Sequence, residues 1–227
     1  MRFITTRGAV YRQILSNQFF VSQLYLDLLN RQPEPNGLAF WVGNLNAGGV
    51  RKDVAYQFFA SAEFQQTGNF VLSVYIAVLG RDPDFGGWLF WLNNLNGGVP
   101  RATMVQQFIN SPEFVLIYGS LNNTQFVQLV YQNVLGRPPD TAGLNFWVGS
   151  LNAGQTRGDM MLAFINSAEF QTRIQNRSLA DLLYLGFLRR SPEPAGQAFW
   201  LNSLNNGLQG ANAIDPFIGS SEYFGRF

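Results

Sequence analysis

"LGRPPDTAGLNFW", residues 135–147, decides the fold, because the chain contains the same order of residues four times. It stands also at 29–41 (LNRQPEPNGLAFW), 79–91 (LGRDPDFGGWLFW) and 188–200 (LRRSPEPAGQAFW). A tyrosine precedes each copy by four residues (Tyr25, Tyr75, Tyr131, Tyr184), so the copies recur at intervals of 50, 56 and 53 residues. Self-similarity at such a period is the mark of a repeat architecture.

Working outward, every copy keeps its internal spacing. An arginine (Arg31, Arg81, Arg137, Arg190) is followed by Pro, an acid (Glu34, Asp84, Asp140, Glu193), a Gly three residues on, and a Phe-Trp pair ending at Trp41, Trp91, Trp147 and Trp200. Leu-Asn follows at 45–46, 95–96, 151–152 and 204–205, then Phe58, Phe108, Phe164 and Phe217. A Ser-x-Glu-aromatic ending closes each copy, with its acid at Glu63, Glu113, Glu169 and Glu222. Length varies only between copies, so this is one structural unit used four times.

The unit reads as helical. "FVQLVYQNVLG" (126–136) has apolar residues at helical spacing and stops at Gly136, as Gly80 and Asn30 stop their helices in the left-handed conformation these residues tolerate. Arg189 holds that position in the fourth copy, which is expected to end differently. The acid suits an N-cap, and Pro35 and Pro194 suit the first helical position. A second helix carries Phe-Trp, a third ("RGDMMLAFIN") turns its Phe inward, and the Ser of Ser-x-Glu caps a short fourth with the Glu near its positive end. The expected fold is all-α: four tandem helical repeats of about 45–50 residues packed side by side, each marginal alone and steadied by its neighbours. The segments are a basic N-terminal arm over 1–18 and repeats over 19–66, 69–118, 125–173 and 178–227.

Composition narrows the function. The 227 residues are 47% hydrophobic and 13% charged, with a net charge of +1, which argues against an electrostatic nucleic-acid binder. Of 15 basic residues 14 are Arg and only Lys52 is Lys, a bias toward the cation favoured in interfaces. With no His and no Cys, Ser-His and Cys-His nucleophiles, the usual zinc and iron sites, disulfides and thioether-linked prosthetic groups are excluded. No cofactor is expected. "MRFITTRGAVYRQILSNQ" shows no apolar core of a signal peptide, and no run of about 18 apolar residues marks a membrane span.

The repeated Arg and Glu (Arg31 and Glu63, Arg81 and Glu113, Arg137 and Glu169, Arg190 and Glu222) are read as pairs tying the end of helix one to the start of helix four rather than as an acid/base couple. Phe and Trp of the Phe-Trp pair (Trp41, Trp91, Trp147, Trp200) are read as core. Asp82 and Asp84 fall short of the six to eight oxygens calcium requires. Two candidates for a partner interface remain. Phe85 and Trp88 replace non-aromatic residues of the other copies and share a helix face, so they are expected to face solvent. Arg2, Arg7, Tyr11 and Arg12 lie on an arm with three Arg and no acid, which can order on a partner.

The pattern Tyr-x3-Leu-Gly-Arg-x-Pro-Asp-x2-Gly-x2-Phe-Trp, with Leu-Asn-x-Gly and Ser-x-Glu-Phe, resembles the repeat family catalogued as domain of unknown function 4214, over about residues 17 to 224. Copy four departs from it at Arg189, and at Gly210 where Arg51, Arg101 and Arg157 stand. The resemblance implies no catalytic activity, and a frequent setting in large secreted or surface proteins. "VYRQIL", "VLGR" and "IDPFIGSSEYFGRF" are similar also to phycobilisome linker domains, which implies a colourless scaffold between pigment-protein discs.

Three function classes follow. The leading expectation is a non-enzymatic scaffold or linker that organises subunits of a large assembly, of the phycobilisome light-harvesting type, cytoplasmic or at the cytoplasmic face of a photosynthetic membrane, with phycobiliproteins as partners. The alternative is an extracellular or surface-layer repeat module with a binding or adhesion role. An enzyme using carboxylates alone is the third, although nothing distinguishes one pair among the 14 acids.

Overall fold

The computed structural model describes residues 16–227, and among them every regular element is a helix. The first helix among the described residues begins at Asn17 with the Ser16 hydroxyl accepting from the Phe19 N–H, so residues 17 and 18 belong to the first repeat rather than to the arm.

The repeats follow one plan. The first helix of repeats two, three and four finishes in a wider, π-helical turn at Tyr75–Leu79, Tyr131–Leu135 and Tyr184–Leu188. The next residue then turns left-handed: Gly80 at φ 70°, Gly136 at 70°, and, without a glycine, Asn30 at 51° in repeat one and Arg189 at 54° in repeat four. Arg189 therefore does not change the helix end. A side chain in that conformation costs about 1–2 kcal/mol, and Arg189 gains in return a 2.9 Å hydrogen bond to the Asp27 carboxylate.

The second helices are Pro35–Asn46, Phe85–Asn96, Thr141–Asn152 and Pro194–Asn205. Asp84 and Asp140 cap theirs, accepting from Gly87 N and Gly143 N at 2.8 and 2.7 Å. Glu34 and Glu193 do not cap; one methylene longer, they reach back to Arg31 and Arg190 at 2.5 Å, and Pro occupies the first helical position instead. The glycine three residues after the acid has a steric cause. At Gly87 an added Cβ would come to 2.5 Å of the Tyr75 hydroxyl, and Gly37, Gly143 and Gly196 sit in the same way against Tyr25, Tyr131 and Tyr184.

The third helices open at Arg51, Arg101 and Arg157, whose guanidinium groups lie over the Phe20, Phe70 and Phe126 rings at 4.7–5.2 Å. In repeat four Gly210 and Leu179 hold the two positions, so cation and ring are lost together. Serine caps every fourth helix, through Ser61, Ser111, Ser167 and Ser220. In repeat three that helix is not short: it runs on over Ala168–Leu183 into the first helix of repeat four.

The chain divides into two compact units, one of residues up to Gly68 with Leu182–Phe227, the other of Asn69–Asp181. In the first, repeat one pairs with repeat four through the third helices Arg51–Ala60 and Gly210–Ile218. Lys52 bridges to Asn212 and Asp215 at 2.8 and 3.3 Å, Phe59 packs edge-on against Phe187, and Gly186 leaves room for Leu28. In the second, repeat two pairs with repeat three through Arg101–Ile109 and Arg157–Ile165. There Gly158 donates its N–H to Gln106 Oε1 at 2.8 Å, and a Cβ on Gly158 would meet the Ala102 carbonyl at 2.9 Å.

Candidate interaction surface

Each repeat builds the same stack of rings from inside outward. Tyr25, Tyr75, Tyr131 and Tyr184 are buried and pack edge-on against Phe58, Phe108, Phe164 and Phe217, with centroids 4.8–5.0 Å apart. Those phenylalanines touch half-buried Trp41, Trp91, Trp147 and Trp200 at 5.0–5.6 Å. Burial raises the hydroxyl pKa of Tyr25, Tyr75 and Tyr184, and the indole of Trp41, Trp91 and Trp200 hydrogen-bonds the hydroxyl.

The stack does not end at the tryptophan. Phe40, Phe90, Phe146 and Phe199 each lie edge-on to their Trp at 4.9–5.1 Å. They are 64, 57, 63 and 62% exposed. The Trp of the pair is therefore half-buried at the edge of the core and the Phe lies outside it, so neither is the fully buried core residue expected. Successive helical residues point about 100° apart, so a helix that turns Trp41 and Leu45 inward carries Phe40 to the edge of that face. A helical wheel centred on Trp and Leu would have placed the Phe outside. Its helix neighbours are uncharged: Asn36 and Gly43, Gly86 and Asn93, Ala142 and Gly149, Ala195 and Asn202.

The tyrosine side of each stack is closed by a clamp. Arg31, Arg81, Arg137 and Arg190 lie over the tyrosine rings at 4.9–5.5 Å. Each also forms a two-pronged pair with Glu63, Glu113, Glu169 or Glu222, at 2.5–3.2 Å. The turn at the helix end brings the arginine back over a tyrosine six residues earlier, with a π turn in repeats two to four and without one in repeat one, where the Arg31 N–H donates to the Tyr25 carbonyl at 3.3 Å. The guanidinium holds the Glu113, Glu169 and Glu222 carboxyls below their usual range. All of these side chains are partly exposed, so the pairs fix geometry more than they add stability.

The interface residues expected from the sequence fare differently. Trp88 is 0% exposed: Phe85–Asn96 buries Trp88 and Leu92 on one face, four residues apart, which removes Trp88 from any surface, and Phe85 is half-buried against it at 6.2 Å. Arg2, Arg7, Tyr11 and Arg12 lie outside the described residues. The exposed apolar residues special to repeat two are instead Val115, Leu116 and Ile117, where repeat one has Gln65, Gln66 and Thr67.

The family model described as "Domain of unknown function (DUF4214)" matches residues 7–68, 66–116, 105–174 and 172–227. The chain belongs to this family. The four DUF4214 matches cover the four repeats, and their tyrosine, arginine, tryptophan and glutamate form the ring stack and clamp just described. No curated protein and no solved structure matches the chain.

Among the described residues no group of three or more acidic side chains could hold a metal ion. No helix there is long and apolar enough to cross a membrane.

Proposed function

We propose that this DUF4214 chain is a non-enzymatic scaffold that organises other proteins, gripping them through the exposed edges of its four ring stacks. The observation that supports this most directly is the exposed phenylalanine, kept in all four copies at a position where burial gives no reason to keep it. Exposed aromatic rings on rigid helices lose little conformational entropy on contact and are frequent anchors at interfaces.

The acids support a structural rather than catalytic role. Ten form ion pairs with arginine or lysine, Asp84, Asp140 and Asp159 engage helix N-termini, and Asp53 sits in the first turn of its helix. The reading invokes no cofactor and no nucleic acid. Its finer form is a phycobilisome-type linker acting on phycobiliproteins in the cytoplasm, supported by the linker-like segments "VYRQIL" and "IDPFIGSSEYFGRF". The second reading, a surface or extracellular binding module, is favoured by the neutral residues around each ring, a setting in which a sugar face can stack.

Gradient sedimentation of a gentle lysate, comparing the native chain with a variant in which Phe40, Phe90, Phe146 and Phe199 are all alanine, tests the proposal. Co-sedimentation of the native chain with a coloured multi-megadalton complex, lost in the variant, is the expected result. A native chain that sediments alone overturns the scaffold reading, and recovery in the medium or envelope favours the second.

A further inference from the structure

The two units treat one position differently. In the unit of repeats one and four, Arg226 donates to the Phe187 carbonyl of its own π turn and, at 2.5 Å, to the carboxylate of Asp27 from the paired repeat. Arg189 reaches the same oxygen at 2.9 Å, and the Asp27 side chain is buried. Asp27 stands two residues after Tyr25, and Arg226 four residues after Glu222.

In the unit of repeats two and three the arginine is kept. Arg173 follows Glu169 by four residues and donates through Nη1 to the Asn133 and Val134 carbonyls at 2.9 and 2.8 Å, the latter being the equivalent of Phe187. The acid is not kept: two residues after Tyr75 stands Ala77. Ala77 is itself buried, and the cleft of about 240 Å3 nearby is lined by its neighbour Ile76 with Gly80, Asn133, the exposed Arg173, Ile174 and Arg177. Arg177 is engaged with Asp82 at 2.6 Å and with buried Asp181 at 3.6 Å. Among the described residues no carboxylate pairs with Arg173, whose Nε and Nη2 form the flat fork that matches a carboxylate.

We infer that this cleft binds the carboxylate of a small organic acid, held by Arg173 as Asp27 is held by Arg226 in the other unit. The comparison within the chain supplies the ligand's chemistry: where the protein fills the position itself, it uses a carboxylate. Ile76 and Ile174 offer an apolar wall to a short carbon chain. The volume is below the roughly 300–1,000 Å3 of sites for drug-sized ligands, so the acid has only a few carbons. Asp82 and Asp181 leave the contact to Arg173, so binding is weak and sensitive to salt. The site shares no residue with the exposed phenylalanines and stands whether or not the scaffold reading does.

The test is a titration of the 15N-labelled full chain with sodium acetate and sodium succinate, read at the Arg173 Nε–Hε signal, against sodium chloride at matched ionic strength. A saturable shift with the acids, absent with chloride, is expected. Arg173→Gln, read at the Ile174 amide, should bind at least tenfold more weakly. Ala77→Asp, which restores the internal carboxylate, should abolish binding while the chain stays folded. An Arg173 signal that acetate moves no further than chloride overturns the inference, as does undiminished binding by Ala77→Asp. A capped glutamate tripeptide that binds more tightly than succinate would replace the free acid by a partner's acidic side chain.

Discussion

Asp27 and Arg226 lie 199 positions apart in the chain, and their side chains meet at 2.5 Å inside the unit that pairs the first repeat with the fourth. Asp27 is 1% exposed at its side chain and Arg226 11%, so the pair has little access to water. Removing one member of such a pair strands the other charge.

Asp27→Ala should therefore cost about 3–5 kcal/mol, seen as a lower midpoint in urea unfolding followed by circular dichroism. A loss under about 1 kcal/mol, the range of an exposed pair, would show that the contact is solvated in solution.

Gly87→Ala places a methyl against the Tyr75 hydroxyl, at 2.5 Å in the folded geometry. The expected loss is about 1–3 kcal/mol, as for other overpacked sites. Adding Tyr75→Phe removes the atom that is struck, so the double variant should lose less than the sum of the two single losses. Strict additivity in a double-mutant cycle would assign the glycine to some other cause.

The ring stack predicts a sharp contrast between its outer and inner rings. Phe90→Ala should change stability by less than about 1 kcal/mol, because its ring is mostly in water. Phe108→Ala, two rings further in, should cost about 3–5 kcal/mol. Thermal melts of the two variants make the comparison, and equal losses would mean that the outer ring is covered in solution.

Acid should destabilise the fold. Arg81 and Arg190 hold the Glu113 and Glu222 carboxyls low through their hydrogen bonds, and Arg31 and Arg190 do the same for Glu34 and Glu193. A carboxyl whose pKa is lower folded than unfolded contributes stability fully above its unfolded value, about 4.3 for Glu. That contribution disappears as pH falls through the lowered folded value. The melting temperature should thus drop below about pH 4.5, and Glu113→Gln should drop less over the same interval, having already lost one such group.

Much of each repeat is legible in the sequence because its contacts are local and repeated. The Arg-Glu clamp spans 32 residues in all four copies, so the spacing itself announces it. The serine caps, the prolines at helix starts and the left-handed stops follow from backbone chemistry within a few residues. Even Arg189 fits this rule once its partner is known, since the strain is local but the compensating Asp27 lies 162 residues away.

Sequence alone determined the repeat, its helices and its internal clamp, because these depend on residues a fixed distance apart along one chain. Tertiary structure decided which face of each helix is covered. It pairs repeat one with repeat four and repeat two with repeat three, buries Trp88, leaves Phe40, Phe90, Phe146 and Phe199 in water, and gives Arg226 an acid that Arg173 lacks. The physical reason is that hydrophobicity does not say where a side chain goes: an aromatic ring is buried only if another segment arrives to cover it, and that segment is set by long-range packing that no local pattern records.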